Sequence, residues 1–326
     1  MTSGAGVVRT LAAHEYRSAL RSRVLVLLIL SMVAISAGSI TIASFDFRAE
    51  LADYEAYVED AKAAGATVIP PPQFFPLQLL RGVIEYVQII GAVLGIGLGY
   101  LSIARERTGN TLRLILTRPV RLRQLFLGRV LGATAVIGTV LGAAAVISVV
   151  VIGTVGGQWL SSDELLRLAI AFTVAVLYML LFYALGSWVS ARSRTLANGL
   201  VVALVVWLSV VLVIPQIGDT MDPDNQVPGG LFDALNVRKT EEKRVLAKFS
   251  TYETIRNNLE ETSLTKHYER FTFAVTGVKE TFHGKPLSLI ADRKRNDIAW
   301  LGFYAVLMGG LLWAGLRRES VTEKES

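Results

Sequence analysis

The chain has 326 residues, of which 52% are hydrophobic and only 18% charged, and its mean hydropathy is +0.47. Soluble domains carry about a quarter charged residues, so this composition belongs to an integral membrane protein. The net charge of +6 is not a nucleic-acid signal, because the arginines gather at the ends of apolar runs and not along one soluble face. The absence of cysteine excludes disulfides, thiolate metal sites and cysteine nucleophiles, and His14, His267 and His283 lie too far apart in sequence for metal-binding spacing.

Residues 1–23 precede the first apolar run. Val8, Leu11 and Ala12 fall to one side, with Arg9, His14, Glu15 and Arg17 interspersed and Arg21 and Arg23 following. This predicts an amphipathic helix on the cytoplasmic membrane surface, with a loose tail as the alternative. It reads poorly as a signal peptide, since the apolar run after it is long and no small-residue cleavage site follows. Residues 24–45 make a first span of the length a bilayer needs, about twenty residues, with Ser31, Ser36, Gly38 and Ser39 as small contact positions. In 46–75, Asp46, Glu50, Asp53, Glu55, Glu59 and Asp60 outnumber Arg48 and Lys62. This acidic outer loop is expected to be helical in its first half and to end at Pro70-Pro71-Pro72 as a stiff extended turn.

Residues 76–103 form the second span. Gly91, Gly95 and Gly99 fall four apart on one helical face, the small-xxx-small pattern of close helix packing in lipid. Glu85 and Gln88 sit one turn apart near its outer third. An acid within a span points to function by default, which would make the two residues part of a substrate path. The competing reading is that Glu85 reaches headgroup water or pairs with Arg81.

The loop 104–129 carries Arg105, Arg107, Arg113, Arg118, Arg121, Arg123 and Arg129 against a single acid, Glu106. Loops this basic and this short stay on the cytoplasmic side. Thr111 can cap a short helix in which Leu112, Ile115 and Leu116 recur at helical spacing, and Pro119 stops it. A short helix held between two spans is a rigid knob suited to a groove on another protein. The plainer reading is that such a loop only fixes orientation.

Residues 126–155 form the third span, with Gly128/Gly132 and Gly138/Gly142 again four apart. After a short outer turn, 165–189 is the fourth span. Its Tyr178, Phe182, Tyr183 and Trp188 suit packing or interface anchoring better than a ligand cage. Arg192 and Arg194 lie in the cytoplasmic turn 190–195, and 196–214 is the fifth span, with Asn198 near its cytoplasmic end and Pro215 closing it.

The hydrophilic segment 216–297 falls outside by span counting. It opens as a loop at Pro223, Pro228 and Gly229-Gly230, and 231–267 has an amphipathic helical pattern. The alternation of Phe271-Thr272-Phe273-Ala274-Val275 predicts a short strand, or a segment lying on the membrane. The segment is too small for an independent enzyme with a large core, and it holds no nucleophile–base constellation or phosphate loop. It is expected to cap the outer face or meet a partner there. Residues 298–316 form the sixth span, closed by Arg317 and Arg318, and the polar tail runs from 317 to 326.

The expected architecture is therefore an all-α membrane protein. A cytoplasmic amphipathic helix (1–23) precedes spans one to five (24–215, with the loop 104–129), an extracytoplasmic and mostly helical domain (216–297), the sixth span and the tail. Arg21/Arg23, the 105–129 arginines, Arg192/Arg194 and Arg317/Arg318 all fall on one side under this count, which places both termini in the cytoplasm and the chain in the cell membrane.

Arg105-Glu106-x-x-Gly109-Asn110-Thr111-Leu112 is followed by Leu114-Ile115-Leu116-x-x-Pro119-Val120-x-x-x-Gln124-Leu125-x-x-Gly128-Arg129. This string resembles the cytoplasmic loop of type-2 ATP-binding-cassette permeases. That family runs Glu-x-x-x-Gly-Thr-Leu, a Leu-rich turn, Pro-Val, and Gly-Lys entering the next span. Here the glycine stands one place early, with Asn110 before Thr111, and Asn also tolerates the left-handed turn. The run Leu185-Gly186-Ser187 through Ser190-Ala191-Arg192-Ser193 is similar to the family's link between spans four and five. The resemblance implies a permease subunit whose loop, through Arg105, Glu106, Gly109, Thr111, Leu112, Ile115, Leu116 and Pro119, contacts a cytoplasmic ATPase. It further implies pairing with a second permease chain as a homodimer, with ATP and Mg bound by the ATPase and no cofactor, metal or catalytic residue in this chain. No Gly-x-x-x-x-Gly-Lys-Ser/Thr phosphate loop occurs in the sequence, so energy for uphill movement has to come from a partner.

Two other readings stand beside this exporter. The chain resembles, more narrowly, the permease of the nitrous-oxide-reductase maturation transporter, which works with an outer partner protein. It has neither a Met-rich nor a Cys/His path for copper. In a different class, it would be a non-transporting membrane scaffold or sensor whose basic loops serve orientation alone. An intramembrane hydrolase is disfavoured, since Glu85 is the lone clear acid in a span and no histidine lies in one.

Overall fold

A computed structural model describes residues 4–65, 75–109, 121–220 and 261–322, with 235, 241, 244, 254 and 258 singly. All regular structure among the described residues is helical. Helix α1 (Gly4–Leu20) leads into α2 (Arg23–Ala63). Next come α3 (Pro76–Arg107), α4 (Leu122–Thr154), α5 (Ser162–Arg192) and α6 (Leu196–Ile217). The chain closes with α7 (Leu264–Thr276), α8 (Leu287–Arg293) and α9 (Arg295–Thr322). Six of these, α2 to α6 and α9, are long and apolar enough to cross a membrane.

Short polar residues fix where the helices begin. The Ser161 hydroxyl accepts the Glu164 backbone N–H at 3.4 Å, while the Glu164 carboxylate accepts from the Ser161 N–H at 2.7 Å, so two orphan donors at the start of α5 are satisfied reciprocally. Thr195 and Ser263 cap α6 and α7 with one bond each, their hydroxyls accepting the N–H groups of Asn198 and Lys266.

The acidic stretch 46–63 is not a separate loop element. It continues the first span as one 41-residue helix, α2. The expectation of a strand or surface segment at 271–275 is overturned. These residues lie in α7, whose Leu264, Tyr268, Phe271 and Val275 recur at helical spacing and are all buried. Residues 271–276 are buried on every side, so their polar–apolar alternation marks no two-faced sheet. Gly277, at φ 72°, supplies the left-handed residue that ends the helix.

Helix α5 is the hub, packing against α3, α4, α6, α7 and α9. Its contact with α3 runs along the glycine face. A Cβ added at Gly95 would stand 2.5 Å from the Met179 carbonyl oxygen, one at Gly91 would stand 3.2 Å from the Met179 sulfur, and one at Gly99 would meet the backbone of Tyr183 and Ser187. Gly186 of α5 returns the approach, with the Ile96 carbonyl 2.6 Å from its missing Cβ. Backbones this close exchange dispersion contacts that larger residues would forbid. Gly128 and Gly132 of α4 are filled by α1, where Leu11, Ala12 and Glu15 sit against them, whereas Gly138 and Gly142 meet nothing within 4 Å. The apolar edge of α1 is thus spent on protein contact along the first half of α4.

Candidate functional site

The predicted loop is held at both ends. On the α3 side, Glu106 forms an ion pair with Arg129 of α4, and the two side chains are only 14% and 3% exposed. Arg107, one residue on, donates to the Ala191 carbonyl at 2.7 Å and to the Ser193 carbonyl at 2.9 Å, at the end of α5. A guanidinium suits this position, because the last carbonyls of a helix are unsatisfied and carry its partial negative charge. Arg105 turns back along its own helix, donating to the Leu101 carbonyl at 2.9 Å. The ends of α3, α4 and α5 are therefore tied to one another within two residues of chain. Helical backbone runs two residues past the end of α3, to Gly109. Thr111, Leu112, Ile115, Leu116 and Pro119 lie outside the described residues.

A second acid stands beside this ion pair. Glu15 of α1 is buried, its side chain against the position of Gly132, one turn from Arg129, and its Oε1 has no hydrogen-bond partner among the described residues. Tyr183, Ser187 and Ser190 of α5 and Ser102 of α3 are buried too. Charges in such surroundings hold their place only when paired and hydrogen-bonded.

Glu85 and Gln88 do not share a surface. Glu85 faces outward at 45% exposure and accepts from Arg81 Nε at 3.0 Å. Gln88 points inward, where its amide donates to Glu269 of α7 at 3.4 Å and its backbone carbonyl accepts the Tyr178 hydroxyl at 2.9 Å. It sits in a π-helical turn, Val87–Gly91. Such turns re-aim local backbone groups and are frequent at functional positions.

Around Gln88 the helix α7 is inserted against α3, α5 and α9. The Tyr268 ring stacks on Tyr178 with centroids 4.4 Å apart, and burial pushes the Tyr268 phenol above its ordinary range, with Tyr178 adding to the shift. His267 is buried, with Nδ1 at 2.7 Å from an Asp297 carboxylate oxygen and Nε2 at 2.7 Å from the Glu261 carbonyl. Lys294 holds the other Asp297 oxygen at 3.2 Å. Arg167 of α5 donates to the Val275 and Lys285 carbonyls at 3.3 and 2.7 Å. No group of three His, Asp or Glu side chains able to hold a metal comes together among the described residues.

Sequence reasoning passed over Glu15, the Arg107 contacts and the His267–Asp297 pair. For Glu15 a signal existed. Val8, Leu11, Ala12, Glu15 and Ala19 share one helical face, so an acid stands in the apolar stripe. Arg129 likewise follows Gly128 on a helix whose glycine face is packed.

The family model for the ABC-2 family transporter protein matches residues 9–291. No curated protein matches the chain.

Proposed function

Since the chain belongs to the ABC-2 transporter permease family, we propose that it is the membrane subunit of an ATP-driven exporter, worked by a separate cytoplasmic ATPase through the segment 104–129. The arginine distribution supports an orientation with this segment and both termini inside the cell, and the chain in the plasma membrane. ATP and Mg belong to the partner. The task of this chain is to receive a displacement and pass it to the spans.

The observation that carries this reading is the joint made by Glu106–Arg129 and by Arg107 on the Ala191 and Ser193 carbonyls. A push on a segment anchored this way reaches α3, α4 and α5 together. In the homodimer, two such joints face two ATPase subunits, and their approach rearranges the spans around a central path. ATP shifts that equilibrium only as far as the docked contacts differ between the two arrangements. The segment 216–297 is the surface offered to an outer partner.

The test is co-purification of the full chain with its cognate ATPase, with Leu112→Asp/Leu116→Asp as the variant. The reading expects a complex whose ATP turnover responds to the permease and which the variant abolishes. A complex that never forms, or one that the variant leaves intact, overturns it.

A further inference from the structure

We propose that the seam between α1 and the start of α4 is a binding site for an anionic phospholipid of the bilayer, with the headgroup phosphate held by Arg9, Arg121 and Arg123. The three arginines line one open groove of about 650 Å³ whose walls include Val8 and Ala12 of α1 and Leu127 and Leu131 of α4. Among the described residues no carboxylate lines it and none of the three arginines pairs with an acid. All three are exposed. The one acid of α1, Glu15, is buried against α4 at the position of Gly132. The groove therefore has positive charge at one end, apolar walls, and no neutralising acid among the described residues.

The length of the apolar track selects a lipid over a soluble anion. From the groove, exposed Leu127, Leu131, Ala135, Ala143, Val146 and Val150 run along a single face of α4, broken only by exposed Thr139, whose hydroxyl bonds back to the Ala135 carbonyl. At 1.5 Å per residue this stripe is about 35 Å long, so its first half alone spans the roughly 15 Å that one leaflet contributes to the hydrocarbon core. It begins one turn after Arg123. A headgroup at the arginines thus places its acyl chains on the stripe, while guanidinium groups meet the phosphate in the fork geometry that suits them. Arg17 of α1 and Arg21, just past its end, are exposed too and add diffuse attraction for the same leaflet, but their groove offers no comparable apolar track.

The purified full chain, equilibrated with equal amounts of phosphatidylglycerol and phosphatidylcholine in mixed micelles, is examined by native mass spectrometry for retained lipid. Phosphatidylglycerol is expected to be retained preferentially, by about fivefold for each arginine that contributes. Arg9→Gln/Arg121→Gln/Arg123→Gln should bring retention of the two lipids to parity, and Arg81→Gln, at the other end of the bundle, should leave the preference unchanged. Leu127→Gln/Leu131→Gln, which keeps the arginines and the net charge and spoils the track, should also lower retention and guards against a misfolded triple variant. A preference that survives both multiple variants overturns the proposal. So does its full displacement by inorganic phosphate, which would make the groove a soluble-anion site. Loss of ATPase co-purification in the triple variant with the lipid preference intact would instead assign the arginines to an acidic protein surface.

Discussion

At one end of the bundle Glu106 of α3 pairs with Arg129 of α4 and Arg107 holds the end of α5, whereas at the other His267 of α7 meets Asp297 of α9 and Gln88 of α3 reaches Glu269 of α7. The two constellations lie about 27 Å apart along α3, counted from Gln88 to Glu106. At the first end the charges join spans to spans. At the second they join an inserted helix to spans, and the spans themselves are held by glycine-to-backbone contact. The first end thus ties three spans to one another through side-chain charges. At the second, α7 is held by side-chain bonds, aromatic stacking and buried apolar residues, Leu264, Tyr268, Phe271 and Val275 among them.

The comparison breaks most readily at the ion pair. Arg129→Ala leaves Glu106 in a buried setting without its countercharge and should cost about 3–5 kcal/mol, read as a loss of thermal stability of the full chain in detergent. Glu106→Leu/Arg129→Leu, which removes both charges together, should recover part of that loss. Equal stability of the single and the double variant would show that the pair does not join the spans. Next come the glycines. Gly95→Leu has no room against the Met179 carbonyl and should destabilise by about 1–3 kcal/mol. Gly142→Ala, with nothing nearby, should be neutral or gain about 0.5–1 kcal/mol from helix propensity. Reversed signs in the same melting experiment would refute the packing described. At the second end, His267→Ala deprives the Glu261 carbonyl and one Asp297 oxygen of their partner while Lys294 still holds Asp297. The expected loss is about 1–3 kcal/mol, with faster amide exchange confined to α7 and the start of α9. Exchange that rises equally in α4 would contradict the separation of the two ends. Smallest is Glu85→Gln, since its pair with Arg81 is open to solvent. It should move stability by no more than about 0.5 kcal/mol and leave transport unchanged, and a large transport defect would return Glu85 to a substrate path.

The spans were legible because an unbroken apolar run of about twenty residues matches the thickness of a bilayer and exceeds what a soluble core helix needs. The four-residue glycine spacing on α3 marked the face that α5 covers. Glycine spacing does not say what fills the groove. Gly128/Gly132 looked like Gly138/Gly142 in sequence, yet α1 fills the first and nothing described fills the second. Period-2 alternation misled at 271–275, because it assumes one wet face and α7 has none there. The pairing of Glu106 with Arg129 and of Arg107 with α5 carbonyls depends on which helix ends meet, which local pattern does not encode. An acid in the apolar stripe of α1, by contrast, was open to inspection as a buried charge in need of company.

The absence of native cysteine makes the most direct test a simple one. Thr117→Cys and Ser162→Cys, made separately in the full chain, are exposed in intact cells to a membrane-impermeant maleimide. Worked from the cell interior, the chain should label at position 162 in intact cells and at position 117 only after permeabilisation. Labelling of position 117 from outside would place the 104–129 segment beyond the reach of any cytoplasmic ATPase and contradict the account.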